Sequence, residues 1–308
     1  MQWMYERGDL ARDGWESVVD PQIPGWKHTG IRVADLEPGE TLDLLGEGVE
    51  RIIVPLTGGF VVQHGQAGPT EATVLEGRAS VFDGPTDVLY LSALSSATIG
   101  RPASATISAR VAIAEAPATE IHSSRYIARD EVPVELRGSG RSSRQVHNFG
   151  TPAALDAQKL IVCEVITPAE NWSSYPPHKH DTLVHGVESR LEEIYYFETA
   201  VTRGLADGVA PPEADPFGFM RTYSSKAGEI DLLAEVRTGD VALVPYGWHG
   251  PCVAAPGYDL YYLNVMAGPD PERAWHISDD PAHGWIRSTW EGQDVDPRLP
   301  YTQEGPTA

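Results

Sequence analysis

An all-β protein of the sandwich or jelly-roll type is what this sequence predicts, and three observations carry the prediction. Short runs rich in β-branched and aromatic residues dominate the chain. Turn-forming residues separate them, drawn from 30 glycines and 25 prolines. Helical periodicity is scarce.

The runs follow one another at sheet-like spacing. "RIIVPL" (51–56), "GFVVQH" (59–64), "DVLYLSA" (87–93) and "ATISARVAIA" (105–114) fall in the first half. "KLIVCEVI" (159–166), "EIYYFE" (193–198), "DVALVP" (240–245) and "YDLYYLNVM" (258–266) fall in the second. "RGSGRSS" (137–143) is polar and flexible in composition, and reads as a linker or a loop between halves. "LADGVAPPEADP" (205–216) is an acidic, proline-rich loop, and the tail after Trp290 is irregular. A weak internal repeat is visible. "TDVLYLSALSSATI" (86–99) can be laid on "GDVALVPYGWHGPCV" (239–253), and "ERIIVP" (50–55) on "EEIYYF" (192–197). In that overlay Ser96 stands where His249 stands, and Arg51 where Glu193 stands.

The 308 residues suffice for two domains or one large β domain, with a core that needs no staples. A net charge of −21 argues against nucleic acid and anionic membrane as partners. An anionic substrate would need a local cation, a metal or an arginine, to override that field. Cys163 and Cys252 sit in apolar runs and read as buried free thiols of a reducing compartment. No basic-then-apolar leader and no apolar run of about 20 residues is present, so a cytoplasmic location is expected.

The most informative stretch is "YPPHKHD" (175–181). On an extended strand His178 and His180 share a face and Lys179 points the other way, to solvent. Alone, such a pair is more often two surface histidines than a metal site. Three later features shift the balance. "LEEIYYF" carries adjacent carboxylates on a strand, so one of Glu192 and Glu193 points inward, where it needs a cation. "GDVALVPYGWHG" delivers His249 from a strand end at a sharp bend. "YDLYYLNVM" puts Tyr262 and Asn264 on one face. Three histidines and a glutamate would suit a first-row divalent metal: Zn, Mn, Fe, Co or Ni by ligand type.

"HKH", a downstream strand glutamate and "GDVALVPYGWH" resemble the two cupin motifs. More narrowly, "WSSYPPHKHD", "LEEIYYF", "GDVALVPYGWH" and "PGYDLYYLNVMAGP" together resemble the 5-deoxy-glucuronate isomerase family of myo-inositol catabolism, over nearly the whole chain. The resemblance implies a bicupin, two jelly-roll barrels in tandem. It implies a first domain over 1–130 without metal and a second over 131–308 with metal and active site. The implied ligands are His178, His180, Glu193 and His249, around one divalent ion, zinc first among those permitted. The implied reaction converts 5-deoxy-D-glucuronate to 5-dehydro-2-deoxy-D-gluconate through an enediolate, so the partner is an anionic sugar acid. A homo-oligomer is compatible with this. Two departures from the common cupin pattern stand out. Residues 181–192 separate the second histidine from the glutamate, and one residue fewer lies between Gly247 and His249. They leave Glu188 and Glu192 as alternative ligands.

The remaining candidates each have a plain alternative. Arg221 shares a strand face with Phe217, Phe219 and Tyr223, and such a cation expects an anionic partner, here the substrate. Arg144 could grip the same carboxylate, although a surface salt bridge is its more ordinary role. Asn264 could bind substrate. Tyr223 and Tyr262 could handle a proton, although tyrosines in a β core are commonly structural. His147, His185, His276 and His283 read as structural or surface positions. The first half, with His28 and His64 and no paired histidines, is expected to hold no metal. Competing readings are a sister ketol-isomerase acting on a pectin-derived uronate, an iron cupin dioxygenase, and a non-catalytic sugar-binding or storage bicupin.

Overall fold

A computed structural model of the chain describes residues 2–46, 48–66, 68, 70–206 and 208–303. Its backbone is organised as four layered β-sheets and a two-stranded hairpin, Asp181–Val184 with Glu188–Arg190. The first inner sheet holds Gly30–Leu36, Val49–Pro55, Val88–Leu91 and Ala109–Pro117, with Ser17–Val19 and Arg125–Ile127 at its edges. The first outer sheet holds Thr41–Leu44, Gly58–Gly65, Glu71–Arg78 and Ser96–Gly100. The second inner sheet is built around Ile161–Thr167, Glu192–Val201, Val241–Val244 and Tyr258–Ala267, and continues through Arg144–Gly150 to Val134–Arg137. The second outer sheet carries Gly218–Ser225, Gly228–Val236, Trp248–Ala254, His178–Lys179 and Ser278–Asp279. Each inner–outer pair is one jelly-roll barrel.

Three apolar clusters hold the layers together. One fills each barrel, and the third lies between the two inner sheets. The strand Glu192–Val201 shows why. Its side chains alternate, so Tyr195 and Phe197 enter the second barrel while Ile194 and Tyr196 enter the layer between the halves. A strand buried on both faces is mainly apolar, which explains "IYYF" (194–197) and "IIVP" (52–55). The outer strand Gly218–Ser225 instead alternates, with Met220 and Thr222 buried and Phe219 and Arg221 exposed. Each large apolar side chain so buried contributes about 1.5–3 kcal/mol.

The repeat seen in sequence is a repeat in register. Arg51 pairs with Leu91, the last residue of Val88–Leu91, and Glu193 pairs with Val244, the last residue of Val241–Val244. One sequence expectation is corrected. The segment 137–143 is not a link between halves. It is a hairpin connection, with a 3-10 turn at Gly140–Ser142, between two neighbouring strands of the second inner sheet. The change from first to second pair of sheets comes earlier, between Arg125–Ile127 and Val134–Arg137. Also, Met4–Tyr5 crosses over and pairs with Val241–Val244. The irregular tail is anchored, with Leu299 and Tyr301 buried in the layer between the halves. Cys163 and Cys252 are buried and free. Among the described residues, no helix is long and apolar enough to cross a membrane.

Candidate active site

His178 lies directly across the ladder from His249, and both belong to the second outer sheet. Glu193 reaches them from the inner sheet. Its Oε2 lies 3.1 Å from His180 Nε2 and 3.2 Å from His249 Nε2. His180, Glu193 and His249 are all buried, and their ligand-type atoms lie within 4.8 Å of one another. The His178 ring extends the group, 4.5 Å from the His249 ring and 6.4 Å from the His180 ring. The turn that delivers His249 depends on Gly247, at φ +101°, where a Cβ would sit 2.7 Å from the Tyr223 carbonyl oxygen.

The three imidazoles are oriented alike. Each Nδ1 meets a backbone carbonyl: Pro176 at 3.3 Å, Leu191 at 3.2 Å and Gly247 at 3.1 Å. Read from that hydrogen-bond network, Nδ1 carries the proton and Nε2 offers its lone pair. His249 Nε2 is buried and close to Glu193, yet without a hydrogen-bond partner among the described residues. An orphaned buried nitrogen beside a carboxylate and further imidazoles is what an absent cation leaves behind. The donor set fits a first-row divalent metal. Electrostatics agree. Burial opposes charge on Glu193, but the imidazoles of His180 and His249 beside it bring its carboxyl down to about 2. Burial and then its two imidazole neighbours push His178 well below the ordinary histidine value, so it stays neutral. His180 is raised, because its contact with Glu193 outweighs its burial.

The neighbouring carboxylates do other work. Glu188 accepts from Lys179 Nζ at 2.5 Å and from the amides of Asp181 and Thr182. Lys179 is therefore ion-paired between Asp181 and Glu188 rather than facing solvent as expected. Asp181 in turn accepts from the Gly247 amide at 3.0 Å, tying the His180 segment to the His249 turn. Glu192 leaves the opposite face of the sheet, toward residues 27–29.

A cavity of about 520 Å³ opens from His178 and Glu193 and runs past Tyr195, Asn264 and Tyr262 to Arg144. Arg144 is buried, donates one hydrogen bond to the Ser142 carbonyl, and has no carboxylate partner among the described residues. Burial lowers its guanidinium to about 10. It is thus not the surface salt bridge that its sequence context suggests. Asn264 Nδ2 and Trp275 Nε1, on this cavity wall, are two further buried donors without partners among the described residues. Burial holds the Tyr262 and Tyr195 phenols well above their ordinary value, so both stay protonated.

Two candidates fall elsewhere. Arg221 and Tyr223 do not line the cavity, because strand alternation puts both on the outward face of the outer sheet. Arg221 stacks over the Tyr223 ring at 4.4 Å, and Tyr223 donates to Asp280 at 2.5 Å. His147 is fully buried against Glu164, His185 is exposed, and His64 meets the Thr73 hydroxyl at 2.9 Å. Sequence reasoning did not find Trp275, or the two bidentate pairs Arg137–Glu135 and Arg287–Asp279, on the cavity wall. Nothing in "AWHISDD" signals an indole N–H left unpaired.

The model of the KduI/IolB family matches residues 4–286. The chain belongs to the KduI/IolB family. Within reach of this KduI/IolB chain are a 5-deoxy-glucuronate isomerase of Geobacillus kaustophilus, 37% identical over 91% of each chain, and one of Bacillus velezensis, 38% identical over 84% of this chain and 88% of that one. The crystal structure of an IolB-like protein from Salmonella typhimurium superposes with a TM-score of 0.79 at 31% identity, covering 93% of this chain and 99% of that one. An oxalate decarboxylase of Lactobacillus farciminis, at 10% identity and TM-score 0.61 over 91% and 88%, is similar in fold alone. The KduI/IolB protein is a bicupin, as its four layers and these neighbours agree.

Proposed function

We propose that this chain is an aldose–ketose isomerase that converts 5-deoxy-D-glucuronate to 5-dehydro-2-deoxy-D-gluconate, the step in myo-inositol catabolism that its sequence resembles. Its relatives at 37–38% identity carry the name of that enzyme. The observation that carries the reading is one cavity with two chemically different ends. An imidazole–carboxylate cluster sits at one end and a buried arginine without a carboxylate partner at the other. That pairing suits a molecule with a carbonyl and hydroxyl at one end and a carboxylate at the other. The second half, 131–308, is then the catalytic domain, and the first half, 1–130, supports it without a metal of its own.

His178, His180, Glu193 and His249 would hold the divalent ion, zinc first among those the ligands permit. Such an ion supplies a Lewis acid for adjacent carbonyl and hydroxyl oxygens. Arg144 takes the substrate carboxylate and so sets the orientation of the sugar chain. Asn264 Nδ2 donates to a substrate hydroxyl between the two ends. Tyr262 stays protonated and can donate to an oxyanion, but at neutral pH it does not act as the base. Two carboxylates line the cavity outside the cluster, Glu135 and Asp279, and these are the candidates to take the C2 proton. Each is steered by an arginine, Arg137 or Arg287.

The test combines metal analysis of the purified chain with anaerobic turnover of 5-deoxy-glucuronate in heavy water. About one divalent ion per chain, oxygen-independent turnover and deuterium at the new CH₂OH carbon are expected. Strict dependence on dioxygen would decide for a dioxygenase. Preference for an unsaturated-uronate product of pectin breakdown would decide for the sister isomerase.

A further inference from the structure

Glu192 and Glu193 are the first two residues of one strand, so their side chains leave opposite faces of the second inner sheet. Glu193 enters the imidazole cluster. Glu192 crosses into the first half of the chain. Its Oε1 accepts from the amides of Thr29 at 2.8 Å, Lys27 at 3.2 Å and His28, and from the Thr29 hydroxyl at 3.3 Å. Those residues lead directly into the strand Gly30–Leu36.

The first half returns the arrangement. Glu50 accepts from the amides of Gln158 at 2.9 Å, Lys159 at 2.6 Å and Leu160 at 2.6 Å, and from the Tyr90 hydroxyl at 2.8 Å. Those residues lead directly into Ile161–Thr167, in the second half. The two carboxylates thus form reciprocal clasps. Each is followed by the residue that enters its own barrel. After Glu50 comes Arg51, engaged by Glu115 at 2.8 Å, and after Glu192 comes Glu193.

We propose that Glu192 is a positioning residue for the metal centre, and that the turn 27–29 of the first half belongs to that centre's support. The inference rests on the metal reading above. Glu193 is paired on both sides, with Val244 and Met266, whereas Glu192, the strand's first residue, is paired on one side alone, with Ala267. The clasp adds a constraint at that free end, where a strand is held least. Several donors on one carboxylate fix the Glu192–Glu193 peptide, and with it the approach of Glu193 Oε2 to His180 and His249. Supporting groups of this kind are worth tenfold to a hundredfold in metal affinity.

Glu50 provides the control, because losing it damages the same kind of clasp without touching the cluster. Cobalt(II) is titrated into the full chain and followed by calorimetry and visible absorption. Glu50→Ala is expected to bind within twofold of wild type with the same spectrum. Glu192→Ala is expected to bind roughly tenfold more weakly or worse with a shifted spectrum, and Glu192→Gln to fall between. Thr29→Val, a mild change in the other half, is expected to weaken binding about twofold to threefold, and it keeps the test open should Glu192→Ala not fold. Equal affinity and spectrum for the Glu192 and Glu50 variants would overturn the inference while leaving the metal centre standing. Wild-type protein that takes up no cobalt would overturn the metal centre and this inference with it.

Discussion

Replacing Arg144 with Met should make the enzyme worse and the protein more stable. The side chain is 6% exposed, holds one hydrogen bond to the Ser142 carbonyl, lies over the Trp290 ring and has no carboxylate partner among the described residues. Burial lowers its guanidinium from 12.5 to about 10. That difference corresponds to about 3 kcal/mol of destabilisation carried by the empty protein. Methionine keeps much of the volume and removes the charge. Allowing about 1–2 kcal/mol for the lost hydrogen bond and stacking on Trp290, stability should rise by about 1–2 kcal/mol. The melting temperature should then rise by a few degrees. Binding goes the other way. A charge-assisted contact to the substrate carboxylate is worth about 1.5–3 kcal/mol, so KM should rise roughly tenfold to a hundredfold with kcat little changed. The assay pairs steady-state kinetics with thermal denaturation, and adds a substrate analogue whose carboxylate is a methyl ester. Wild type and Arg144→Met should handle the ester alike. An unchanged KM for the acid, or an equal loss on the ester, would refute the assignment.

Three further outcomes are expected. Tyr262→Phe should lower kcat by roughly a hundredfold with KM nearly unchanged, as loss of an oxyanion donor does. Arg221→Ala and Tyr223→Phe should leave KM within about twofold, since both face away from the cavity, and any larger rise in KM would return Arg221 to the substrate. Metal affinity, measured by competition with a chelating dye, should fall as pH drops below the raised His180 value, because a proton there competes with the metal. The metal-free chain should show the opposite trend near neutrality. A histidine with a raised folded value stabilises the fold below its unfolded value of 6.5, and that stability is lost as pH rises through the folded one.

How far the sequence could be read depended on whether a position is decided locally. Strand alternation and the bend before His249 are local, so three histidines and one of two adjacent glutamates could be read as a candidate group, while the choice of Glu193 rested on the family resemblance. The partition of Glu192 and Glu193 between faces was also legible, but not which face meets the imidazoles, since both faces of that sheet are buried. Arg221 shows the same limit. Its face was read correctly as shared with Phe219 and Tyr223, yet only the layer order tells that this face is outward. Arg144 was only one candidate of two and Trp275 was none, for another reason. What marks them is the absence of a partner, and an absent partner is a property of the whole packed cavity. Lys179 pairs with Glu188 across an intervening hairpin, which a reading by local alternation sends to solvent.

The apolar layer between the inner sheets makes each barrel the cover of the other. The first barrel carries Arg51 and Ser96 where the second carries Glu193 and His249, so its interior offers no such cluster. Its other face still matters, because Ile52, Val54 and Tyr90 pack in the layer that also holds Ile194, Tyr196 and Leu263 of the second barrel. A chain cut between the barrels would expose that layer to water as a broad apolar patch, a surface prone to association.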